Sequence, residues 1–93
     1  MTDHAAIIES TVREQLAKAD VHEVRVREGE DFDGNPIYDV IVVADLRGVD
    51  IGKLTGLVRH TRHKLEPTQG ADRFPMFRFL SPEDARERDA AIA

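Results

Sequence analysis

Apolar residues at Ala5, Ile8, Val12, Leu16 and Ala19 return at the three-to-four-residue interval of a single helix face. Thr2 or Asp3 stands before them, ready to accept a hydrogen bond from the first free amides, so the spacing predicts a helix over residues 3–19. The period then drops to two. VHEVRVRE (21–28) sets Val24 and Val26 on one side and Glu23, Arg25 and Arg27 on the other, the pattern of a strand with one wet face. GEDFDGNP (29–36) collects glycine, proline and short carboxyl and amide side chains, and the β-branched run IYDVIVVAD follows. Together they predict an antiparallel hairpin with a long loop.

After a turn at Arg47, Gly48 and Val49, Asp50 is placed to cap a second helix. Ile51, Leu54, Val58 and Leu65 form its apolar stripe, with Leu57 and Thr61 at the edge. Pro67 disfavours helical geometry in the residue before it, so the helix should stop near Glu66, with PTQGAD (67–72) as loop. FPMFRFL alternates again, with Phe77 and Phe79 on one face. Pro75 donates no hydrogen bond, which suits an edge strand. SPED (81–84) opens a last helix, Ser81 as cap and Pro82 at the first helical position, with only Ala85 and Ile92 as an apolar pair.

The order α-β-β-α-β with a short C-terminal helix predicts an α+β fold over residues 1–93. It is a single small domain, a two-layer sandwich on a three-stranded, mainly antiparallel sheet. Val24, Val26, Tyr38, Val40, Val42, Phe77 and Phe79 are expected on the inner face. Ile37, Ile41, Val43, Met76 and Leu80 then point outward beside Arg25, Arg27, Asp39 and Arg78. So many apolar residues on an outer face predict an interface, or cover by the C-terminal helix.

Charge sharpens this picture because it is unevenly placed. Residues 1–50 carry 12 acids and 5 bases, residues 51–80 carry 2 acids and 6 bases, and the chain as a whole has a formal charge of −5. The central block can attract an acidic partner, or the acidic part of another copy. It includes RHTRHK (59–64), which the helical projection puts away from the apolar stripe together with Gly56: Arg59, His60 and His63 point outward, Arg62 lies near the boundary and Lys64 on the far flank. Glycine inside a helix costs about 1 kcal/mol relative to alanine, so Gly56 asks for a reason, such as close approach of a phosphate backbone or another helix.

The sequence offers little for catalysis. Cysteine is absent, which removes disulfides, thiolate metal sites and cysteine nucleophiles. His60 and His63 are three apart, unlike the i, i+4 pair of a zinc helix, and the acidic loop has Gly29 and Val40 where an EF-hand needs carboxylates. Ser10 and Ser81 lack an evident histidine–acid pair. No enzyme activity, metal or cofactor is expected. The N-terminus lacks the basic flank and long apolar run of a signal peptide, and a cytoplasmic protein is expected.

In its α-β-β-α-β order, with GLVRHTRHKL as the basic second helix and RFPMFRFLSPEDAR as the closing phenylalanine-rich strand, the chain resembles the bacterial KH-type and ribosome-binding-factor class of small RNA-associated domains. The resemblance implies RNA contact through the basic helix. The GxxG loop with which KH domains clamp a nucleic-acid backbone is absent here. The residues themselves point first to a protein-interaction or homodimerisation module using the outer sheet face, with an RNA- or ribosome-associated role as the alternative.

Overall fold

The structure of the chain, a computed structural model, describes residues 3–68 and 72–92. Thr2 as an alternative cap, residues 69–71 of the expected loop and the Ile92 side chain lie outside the described residues. The elements are α1 (His4–Gln15), β1 (Asp20–Glu30), β2 (Pro36–Asp45), α2 (Ile51–Leu65), β3 (Phe74–Leu80) and α3 (Pro82–Ile92), an α+β arrangement with the short C-terminal helix expected.

Helix α1 starts where Asp3 accepts from the Ala6 amide at 3.1 Å. It stops at Gln15, before the expected residue 19, because the chain must reverse to enter β1; Ala19 reaches the core from that turn, with its amide on the Leu16 carbonyl. β1 and β2 pair antiparallel from Asp20↔Asp45 to Glu30↔Pro36. His22 is the extra residue of a bulge between Val21 and Glu23, which lets Val21 and Val24, three apart, both serve the inner face.

The hairpin turn is tighter than predicted, because both strands run on to Glu30 and Pro36 and leave only 31–35 unpaired. Asp31 closes it. Its carboxylate accepts from the backbone amides of Asp33 (2.9 Å) and Asn35 (2.8 Å) and from the Asn35 side chain (3.2 Å), while Gly34 supplies a φ of +83°. The Asn35 amide, the largest influence, holds the Asp31 carboxyl below its ordinary pKa. A carboxylate so engaged is a turn staple.

The strand order is β1-β2-β3, and β3 lies parallel to β2, from Ile37↔Phe74 to Val43↔Leu80. A parallel neighbour needs a crossover, which α2 provides. Asp50 caps α2 by accepting from Gly52 N at 2.8 Å. Tyr38, Val40, Val42 and Ala44 meet Ile8, Val12 and Leu16 of α1 and Leu57 and Leu65 of α2 in the main core, with Val24, Val26, Phe77 and Phe79 at its margin. The inner face is thus the one expected.

Helix α2 is turned from its expected orientation. Its buried line is Leu57, Thr61 and Leu65, with Leu54 and Val58 half-buried and Ile51 73% exposed. The helix serves two neighbours, the sheet and α1, so its seat lies between the stripe and what had been read as its edge. That rotation leaves Leu54 and Val58 facing the free side of β3. Among the described residues no helix is long and apolar enough to cross a membrane.

Candidate interaction surfaces

The outer sheet face is divided in two by α3. Ile41 and Val43 are buried against Ala85, with Leu80 packed beside them. Ser81 accepts from the Asp84 amide at 3.0 Å to start the helix. Farther along α3, Asp89 receives two hydrogen bonds from the Arg25 guanidinium, at 2.9 and 2.8 Å, and Arg25 also reaches Glu23 at 3.1 Å. Those bonds, the Asp89 ones first, raise the Arg25 pKa, and Arg25 in turn lowers that of Asp89. Of the apolar residues expected to be open on this face, only Ile37 and Met76 remain clear of the α3 cluster. Arg78 is tied to Asp39 at 2.6 Å, and Arg27 is exposed with no ion pair among the described residues.

An apolar concavity runs round the free edge of β3, a groove of about 640 Å³. On one side α2 lends Leu54, Thr55 and Val58. On the other stand Ile37, Met76 and the Asp39–Arg78 pair, with Glu30, Asp31 and Phe32 of the hairpin. Phe74 and Met76 are each 46% exposed, and the Phe32 side chain is fully exposed at the hairpin turn. The contrast with β1 is informative: that free edge presents His22, Glu23, Arg27 and Glu28, the charges that discourage strand-edge association, whereas β3 presents apolar side chains.

The basic face of α2 borders this groove. Arg59 and Arg62 share a second hollow with Thr55, Val58, His63 and Glu66. Arg62 sits over the Phe74 ring at 5.5 Å, a cation–π contact, and His63 approaches Glu66 at 3.6 Å. Lys64 lies on the opposite flank, beside Ser10 and Glu14 of α1. His60 is half-buried and its ring lies over Gly56, where an added Cβ would meet it at 3.5 Å, an ordinary contact. Among the described residues the nearest atoms to that Cβ belong to side chains, those of His60 and Arg59. Among the described residues no three histidines, aspartates or glutamates gather as a metal site.

Two arrangements escaped the sequence reading. His4, in the first turn of α1, shares a 2.6 Å hydrogen bond with the buried Tyr38 hydroxyl, and its Nε2 is buried without a partner among the described residues. Burial, the largest influence, raises the Tyr38 pKa. Arg73, just before β3, donates to the Gly29 and Ile37 carbonyls, both at 3.2 Å, and lies over the Tyr38 ring at 5.8 Å. It clamps the hairpin end of the sheet beside the groove. The aromatic Tyr38 within a β-branched run was a signal that a polar partner was needed; for Arg73 nothing local gave warning.

Compared with known proteins, the chain matches no protein-family model, no curated protein and no solved structure.

Proposed function

We propose that this chain is a non-catalytic protein-interaction module of the cytoplasm that docks through the groove at the free edge of β3. The observation that carries the reading is the exposure of Phe32, Phe74 and Met76 around one concavity next to a strand edge. Aromatic and methionine side chains at the centre with charges at the rim are the composition of protein interfaces. Of the carboxylates that line the groove, Asp31 is engaged by its own turn and Asp39 by Arg78, which leaves Glu30 exposed at the rim as a charge suited to binding. A photoreactive amino acid replacing Met76, tested in cells against one replacing the exposed Ser10, measures this. Discrete protein adducts from position 76 alone are expected; no adducts, or the same set from both positions, would overturn the reading.

A second reading rests on Arg59 and Arg62, exposed cations that share one hollow of α2 and have no ion pair among the described residues. An RNA contact there predicts retention on RNA that falls steeply with salt and with Arg59→Ala plus Arg62→Ala. Absence of binding at low salt removes it.

A further inference from the structure

Taking the groove as a protein-docking surface, we propose that its occupant is a second copy of this chain, related by a two-fold axis running along β3. That operation sets the hairpin side of each copy against the α2 side of the other, while Phe74 and Met76 of both copies meet near the axis. Three observations on separate elements favour this occupant.

The first is charge. On the hairpin, Glu30 and Asp33 are exposed and have no cation partner among the described residues. On α2, in the hollow that adjoins the groove, neither Arg59 nor Arg62 has an ion pair among the described residues, and Arg62 lies over the face of Phe74. A surface with acid on one wall and base on the other is complementary to itself under this symmetry, so each copy pairs what the other leaves unpaired. The second is shape. Phe32 stands wholly exposed on the acidic wall, and the half-buried Leu54–Val58 stripe on the opposite wall offers it apolar surface in the second copy. The third is distribution along the chain: 12 acids against 5 bases in residues 1–50, and 6 bases against 2 acids in residues 51–80. The fold brings Glu30 and Asp31 of the first block to the hairpin side of the groove, and Arg59 and Arg62 of the second to the hollow that adjoins its α2 side.

Sedimentation velocity from micromolar to millimolar protein tests the proposal, with circular dichroism to verify the fold of each variant. The wild-type chain is expected to dimerise, more weakly as salt rises. A helix-reversed variant (Arg59→Glu with Arg62→Glu) has two acidic walls, and a hairpin-reversed variant (Glu30→Arg with Asp33→Arg) has two basic ones. Each alone is expected to lose self-association by about tenfold or more, and their equimolar mixture to recover it as a heterodimer. A wild-type chain that stays monomeric throughout overturns the proposal, as does a dimer that both variants form as well as the wild type. A monomer whose position 76 still crosslinks to a different protein rejects the second copy and keeps the docking reading. A monomer with no such adduct rejects both.

Discussion

Thr61 and Gly56, five residues apart on α2, are each less settled than their neighbours, for opposite reasons. Thr61 is fully buried and its hydroxyl finds no partner, so it bears the desolvation cost of a polar group without the return of a hydrogen bond. Thr61→Val keeps the branched shape and removes that cost. It is expected to raise unfolding stability by about 1–2 kcal/mol, read from urea denaturation. Gly56 carries the conformational entropy of glycine at mid-helix, and a methyl group there meets only the His60 ring at ordinary distance. Gly56→Ala should therefore add about 0.5–1 kcal/mol in the same measurement, without altering association. A variant that loses stability would mean that something comes closer to this backbone than His60 does.

Among the elements, α3 has little apolar anchorage, with Ala85 its one buried side chain among the described residues and the Arg25–Asp89 pair holding its later turns. Asp89 has its pKa lowered by Arg25, so the contribution of this pair is present above the ordinary carboxylate range and is lost as pH falls through the lowered value. Amide exchange in α3 should accordingly quicken ahead of the sheet on acidification, and Asp89→Asn should show the same pattern already at neutral pH. Uniform exchange across α3 and β2 in that variant would show that packing alone seats the helix. The element boundaries were readable in the chain wherever a local chemical device sets them: Asp3, Asp50 and Ser81 cap their helices as their positions imply. Long-range seating was not readable. The orientation of α2 depends on α1 as a second neighbour, and the cover over Ile41 and Val43 depends on an arginine in β1 meeting an aspartate in α3. That α3 covers part of the outer face is the alternative the alternation had offered; how much it covers, leaving Ile37 and Met76 at the groove, was not legible.

At the scale of the molecule, the acidic balance and the mixed sheet have separate consequences. Arg47, mainly through its side-chain hydrogen bonds, holds the Asp45 carboxyl down to about 2, and Asp31 and Asp89 are also lowered. Each such group favours the folded chain above the ordinary carboxylate range, and that preference disappears as pH falls toward the lowered values. Stability should thus be flat near neutrality and decline below about pH 4, less steeply in Asp45→Asn. Asp89 is exposed and Asp31 and Asp45 are half-buried, so water and ions reach all three and added salt should shallow the decline. The parallel seating of β3 acts on time instead of on energy. β1 and β2 close through a short turn, whereas β3 can join β2 only once the whole of α2 has been laid across the sheet, a longer loop to close. The hairpin can form early in folding and the β3 edge late. On the docking reading proposed above, a strand edge that exists only after its own domain has assembled would give partly folded chains little to hold on to, so assembly would wait on folding and the two would seldom compete.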